Sequence, residues 1–242
     1  MSTSITQQSK QSSYGSGAVY KLDAGATGDV VRGIQRLQTL NDVGRSRRYL
    51  AKEIIYRESE RVERIYVIRS GLVKLLSYLP NGRARIVRLH ACNHWIGLEG
   101  LLGQPYEHTA IAVGDVEVQH VGIHSLQRLT RDNPGVLGHL LRQWHGALVH
   151  ADRWISDFST GGIKPRVARM IEFIAEIEYG QPLDRVELLT VCEMAEILGV
   201  TQESVSRILA TFKRREILQK LSDPSREIYR IDVAGLQQEA RK

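Results

Sequence analysis

The chain has 242 residues, 42% of them hydrophobic and 25% charged, enough for one large or two modest domains around a buried core. No apolar run reaches the roughly 18 residues of a membrane span, and the polar start MSTSITQQSKQSS lacks a signal-peptide core, so a cytoplasmic location is expected. The formal charge of +6 invites a polyanionic partner, but Ile163 to Lys242 hold 13 Lys plus Arg against 13 Asp plus Glu, so the C-terminal third is neutral overall. Cys92 and Cys192 are far apart and form no C-x-x-C pair, which argues against a disulfide framework or a zinc site.

Residues 1–24, rich in Ser, Gln and Gly, read as a mobile polar tail. A β-rich domain is expected over 25–130. Short runs at Glu53–Arg57, Ile65–Arg69, Leu72–Leu79, Ala84–His90, Ala110–Val113 and Val116–Val121 are separated by turn signals such as Pro80, Asn81 and Gly82, the pattern of a small antiparallel roll or barrel. Within it His90, Cys92 and His94 alternate, so an extended strand would place them on one face, with Glu99 soon after. A thiolate and imidazoles can ligate haem iron, zinc or copper. His-x-Cys-x-His is no established ligand spacing, however, and no metal or cofactor is predicted. The alternative from another class is a cupin-like, metal-dependent β-barrel enzyme using His90, His94 and Glu99. Their spacing does not match that of cupins, and such an enzyme leaves the rest of the chain unexplained.

Asn133 followed by Pro134 signals a helix start. The helix then carries Leu137, Leu141, Trp144, Leu148, Ala151, Ile155 and Phe158, alternating spacings of four and three over about three heptads. Such a seam calls for a partner helix, or for packing on the chain's own roll. This segment, 131–160, ends in the hinge Ser159–Lys164, and Pro165 opens a further helix through about Tyr179.

The most informative stretch, Thr190–Phe212, lies in the last segment, 161–242. Thr190 and Glu193 have the spacing of a capping box, which starts a helix over Val191–Leu198. Gly199 supplies the turn and Thr201 caps a second helix whose apolar positions, Val205, Ile208, Leu209 and Phe212, make one buried face. Gln202, Glu203, Ser206 and Arg207 are left facing outward near a helix N-terminus. There Arg can donate a bidentate pair to guanine, Glu can accept from cytosine N4, and Ser or Gln can meet bases or phosphates. Lys213, Arg214 and Arg215 follow as a basic run suited to the backbone. Ile217–Leu221 and Glu227–Ile231 then read as two strands about the turn Ser222–Ser225.

Leu188–Leu218 resembles the winged helix of the CRP/FNR family of bacterial transcription regulators, and Glu203-Ser204-Val205-Ser206-Arg207 resembles the E-x-x-S-R signature of its FNR branch. Ile65–Gly71, IYVIRSG, is similar to the family's β-roll, and Gly97–Ala110 to the segment around its effector pocket. The resemblance implies an α+β fold: a β-roll resembling the cyclic-nucleotide-binding jelly roll, a long dimerisation helix along the heptad seam, and a C-terminal winged helix-turn-helix. It further implies a homodimer on double-stranded promoter DNA, with half-sites like TTGAT read by Glu203, Ser206 and Arg207. Thr190, Thr201, Gln202, Lys213 and Arg214 would hold the backbone, and RNA polymerase would be a partner if the protein activates.

The pocket candidates are Gly97, Leu98, Glu99, His108 and Thr109. Cyclic-nucleotide members place an Arg before a Ser or Thr, and a Glu after the first Gly. Here His108 precedes Thr109 and Leu98 follows Gly97, so the bidentate phosphate contact is lost and tight cyclic AMP binding is not expected. The iron-sulfur members use four cysteines, which two cysteines do not supply.

Overall fold

The structure, a computed structural model, describes residues 46–80, 82, 84–179, 184–221 and 227–241. The expected tail at 1–24, the start of the β-rich domain before 46, Asn81 and the wing turn Ser222–Ser225 lie outside the described residues. No described helix is long and apolar enough to cross a membrane.

The roll consists of two four-stranded antiparallel sheets. One has the order β1 (Arg47–Tyr49), β8 (Val116–Gly122), β3 (Arg64–Ser70), β6 (Trp95–Ile96), and the other β2 (Ile54–Tyr56), β7 (Thr109–Ala112), β4 (Val73–Tyr78), β5 (Ala84–His90). Ile65, Tyr66, Val67 and Ile68 are all buried, because β3 has the opposing sheet on one side and helices on the other. Gly71 turns the chain between β3 and β4 at φ +82, and a Cβ there would lie 2.4 Å from the Asp115 carbonyl oxygen. No other residue fits without moving backbone.

Between the roll and the seam lies a helix the sequence reading passed over, α1 (Ile123–Asp132), which buries Ile123, Leu126 and Leu129 against the roll. Asn133 then caps α2 (Pro134–Ser159) by accepting the Gly135 N–H at 3.0 Å, with Pro134 in the first turn. This 26-residue helix is about 39 Å long. Its buried face meets two partners. Val136 and Leu140 pack on the roll, while Trp154 and Phe158, about five turns further along the same face, pack edge-to-face with Phe173 of α3 (Ile163–Tyr179). Leu137, Leu141, Leu148 and Ile155 are exposed, and Trp144 and Ala151 half-exposed. Phe158, placed last in the heptad seam, is 1% exposed in the chain's own core. The exposed stripe therefore ends at Ile155, because three aromatic rings close the base of the helix.

The expected hinge is short and tied. Only Thr160–Gly162 separate α2 from α3, which begins two residues before Pro165, where the first-turn N–H groups need no partner. Arg166 donates to the Phe158 carbonyl at 2.7 Å and to the carbonyl of Leu198. Arg169 donates to the carbonyls of Asp157 at 2.9 Å and Thr160 at 2.8 Å. Two guanidinium groups thus occupy carbonyls that helix ends leave unpaired. Arg153 adds ion pairs to Asp157 and Glu176, joining α2 to α3.

The remaining elements are β9 (Arg185–Glu187), α4 (Val191–Leu198), α5 (Gln202–Arg214), β10 (Leu218–Lys220), β11 (Ile228–Ile231) and α6 (Val233–Ala240). The wing is a three-stranded sheet in the order β10-β11-β9, not the expected two strands. Arg185–Glu187 is too short to show a periodic pattern.

Candidate nucleic-acid interface

Thr190 begins α4 with a complete capping box: its hydroxyl accepts the Glu193 N–H at 3.3 Å, and the Glu193 carboxylate accepts the Thr190 N–H at 3.0 Å. Met194, Ala195, Ile197 and Leu198 are buried. Gly199 ends the helix at φ +64, a left-handed conformation that glycine adopts without a steric penalty. Thr201 accepts the Ser204 N–H at 3.3 Å and opens α5, which buries Val205, Leu209 and Phe212.

Gln202, Glu203, Ser206 and Arg207 are all exposed on the opposite face, in the first two turns of α5. A helix crossing of this type, with an acceptor, a hydroxyl and a guanidinium at the N-terminal end of the second helix, has the donors and acceptors needed to read base edges in a major groove.

The basic strip is narrower than its composition suggests. Arg215 pairs with Glu239, which is 0% exposed and also holds Lys164 at 2.5 Å, and Lys220 pairs with Glu227 at 2.6 Å across the wing. Arg207, Lys213 and Arg214 make no ion pair among the described residues, although the charge of Lys213 is felt by Glu227. The Lys213 ammonium stands 4.7 Å from the centre of the Tyr229 ring, so the wing orients it.

In the roll, Gly97 takes φ +83 ahead of the 3-10 turn Leu98–Leu102. Leu98 is buried in the roll core and Glu99 is half-buried, its carboxylate accepting the Glu107 N–H at 3.4 Å. Burial raises the Glu99 carboxyl above its ordinary range. Thr109 is 3% exposed and its hydroxyl accepts the Glu58 N–H at 3.1 Å. Burial, then the positive charge of Arg88, lowers the His108 imidazole. Tyr106 stacks on Tyr56 at 3.8 Å and closes over Gly97, where a Cβ would lie 3.0 Å from its ring. Arg88 is a residue the sequence reading missed: nothing in the alternation of β5 marks it, yet its charge is felt by Tyr56, His90, Glu99 and His108.

His90, Cys92 and His94 do not share a strand face. β5 ends at His90, Asn93 turns the chain at φ +68, and Cys92 is exposed, its thiol donating to the Arg69 carbonyl at 3.0 Å. Instead His90 packs on His94, His94 on His150 of α2, and His150 on Phe173 of α3, a run of rings from the roll across the long helix. Among the described residues no group of three or more His, Cys, Asp or Glu is placed to hold a metal ion.

A roll, a long connecting helix and a helix-turn-helix with a wing define a class, and comparison with known proteins agrees. The family profile described as the cyclic nucleotide-binding domain matches residues 46–133, and that of the Crp-like helix-turn-helix domain matches 166–239. The two matches together span most of the chain, which belongs to the CRP/FNR family of transcription regulators. Among individual proteins, it is 28% identical over 204 residues to the transcriptional regulator LdrP of Thermus thermophilus, covering 80% of this chain and 96% of the relative. It is 27% identical over 166 residues to the CRP-like cAMP-activated global transcriptional regulator of Mycobacterium tuberculosis, covering 66% and 74%. A solved CRP-family regulator from Thermus thermophilus superposes with TM-score 0.67 at 26% identity, covering 81% of this chain and 97% of the other. FixK2 from Bradyrhizobium japonicum shares the fold with TM-score 0.71 at 24% identity, covering 81% and 96%.

Proposed function

We propose that this regulator acts as a homodimer, paired along α2, on an inverted repeat with half-sites like TTGAT. In this reading each protomer places α5 in one major groove, where Glu203, Ser206 and Arg207 meet base edges. Thr201, Gln202, Lys213 and Arg214 hold the phosphates, whereas the hydroxyl and N–H of Thr190 both donate to Glu193 and leave no donor for one. The observation that carries it is the exposed polar face of α5, with Arg207 free of any acidic partner among the described residues. The exposed leucines of α2 support the two-fold arrangement, since a dimer matches two half-sites one helical turn apart. RNA polymerase is a further partner if bound promoters are activated.

We also infer independence from cyclic AMP. Leu98 offers no acceptor for a ribose hydroxyl, and His108 no bidentate guanidinium for a phosphate. Some family members respond to cyclic nucleotides, and the Mycobacterium relative is named as cAMP-activated, so calorimetry with cyclic AMP is a direct check. Micromolar affinity refutes this part.

The test of the main reading is quantitative binding of duplexes carrying the inverted repeat, single-base variants of it and random sequence. Arg207→Ala is expected to cost about 1 to 3 kcal/mol per half-site and to relax preference at one base pair. Equal losses on specific and random DNA contradict the assignment of Arg207 to a base.

A further inference from the structure

β4 presents its side chains to two different cores. Val73 and Leu75 point into the roll, whereas Leu72 and Leu76 belong to the core that also contains Met194, Ile197 and Leu198 of α4. Lys74 shares the parity of Leu72 and Leu76, and so faces the reading unit. Its ammonium donates to Glu193 Oε1 at 2.8 Å, with the two side chains only 12% and 11% exposed. The other carboxylate oxygen, Oε2, accepts from the Thr190 hydroxyl at 2.7 Å and from its N–H at 3.0 Å. A continuous hydrogen-bonded chain therefore runs from a sensor strand, through the cap of the first reading helix, to an exposed residue at its start.

A capping box is complete with Thr and Glu alone, so the helix does not need a lysine from another domain. Nor is a nearly buried ion pair a strong source of net stability, because desolvation opposes it. What it does impose is geometry: one donor direction and one distance. Burial pushes the Glu193 carboxyl up, but Lys74 and Thr190 outweigh it and hold the group below its ordinary range, so it stays charged. Docking of α4 on the roll also leaves Gln202, Glu203, Ser206 and Arg207 exposed, so the docked arrangement obstructs no part of the reading face.

We propose that Lys74, outside the DNA-binding domain, is a positioning residue for DNA recognition: through Glu193 it fixes the start of α4, and with it the orientation of the reading unit, against the sensor roll. The proposal rests on α4 and α5 being the unit that meets DNA, and not on which bases they read.

The two cysteines supply the probe positions. Cys92 sits on the roll and Cys192 beside Glu193, and both are exposed. Nitroxides on both, in full-length protein diluted with unlabelled C92S/C192S protein, report the distance between roll and reading unit within one protomer. The variant to compare is Lys74→Met with Glu193→Gln. It removes both charges, so no buried carboxylate is left uncompensated, and Gln keeps the capping box. DNA affinity is read on a duplex selected by the wild-type chain from a random pool, so an error in the TTGAT reading does not count against Lys74. The expected result is a distance distribution about twofold broader than wild type and operator affinity weakened by about tenfold or more, at an unchanged helical content. A distribution as narrow as wild type, or operator affinity within about threefold of it or tighter, overturns the proposal.

Discussion

Leu141 offers the sharpest test of pairing along α2. It is 57% exposed on a helix whose buried face is already packed, and it lines an apolar groove with Leu102, Leu137 and Trp144. Burying a whole leucine side chain is worth about 1.5 to 3 kcal/mol, so covering the exposed part yields about 1 to 1.5 kcal/mol. A two-fold interface counts each residue twice. Leu141→Ala is therefore expected to weaken the dimer by about 2 to 3 kcal/mol, roughly 30- to 150-fold in its dissociation constant. Leu and Ala are both strong helix formers, and an exposed side chain contributes little to the isolated protomer, so the unfolding midpoint of the monomer should hardly move. Sedimentation equilibrium over a wide dilution series measures the constant. Val149, 45% exposed but off the seam, is the matched control, and Val149→Ala should leave association unchanged. A dissociation constant for Leu141→Ala within about threefold of wild type refutes the pairing of this face.

Two further outcomes follow from the core. Burial, then the neighbouring His150, pushes the His94 imidazole down to about 4. Its folded value lies below the unfolded value of about 6.5, so its stabilising contribution is present above that value and is lost as pH falls toward 4. The loss between pH 7 and pH 5 is about 2 kcal/mol, read as a lower urea midpoint, and His94→Leu should flatten it. An equally steep decline in that variant would assign the acid sensitivity to other groups, beginning with His90 and His150, which burial also lowers. At the turn between β3 and β4, Gly71→Ala is expected to destabilise the roll by at least about 2 kcal/mol in equilibrium unfolding, because φ is +82 and the obstructing atoms are backbone. A loss below about 0.5 kcal/mol would mean that the turn yields, contrary to the close approach of Asp115.

The parts legible in the sequence were those written locally. The caps and turn made by Thr190, Gly199 and Thr201 each close on a partner three or four residues away, so both reading helices could be placed to within a few residues. All the strands of the roll except β1 and β6 followed from the β-rich runs, and Asn133-Pro134 marked the start of α2. What the sequence hid was long-range or short. β1 and β9 have three residues each, too few for a period to show. The heptad seam ran one residue too far because spacing does not distinguish a partner helix from Phe173 of the same chain. The arginines at the elbow, Arg166 and Arg169, are indistinguishable in sequence from solvated surface residues, since their acceptors are carbonyls at the ends of other helices.

That distinction between local and long-range information bears on how a signal reaches DNA. Thr109, a pocket candidate, lies directly opposite Leu76 in the pairing of β7 with β4, and Ile111 lies opposite Lys74. Leu76 packs in the core of the reading unit and Lys74 holds Glu193, so the pocket edge and the helix cap are neighbours across a single ladder. A ladder is stiff along its hydrogen bonds. Any shift of β7 by even a fraction of a residue spacing must therefore be taken up by β4, whose far face has no room to absorb it without moving α4. Coupling by this route needs no mobile hinge, which fits an elbow whose carbonyls are held by arginines. If Lys74 positions the reading unit as proposed, a displacement of β4 changes the orientation of α4 through this ion pair.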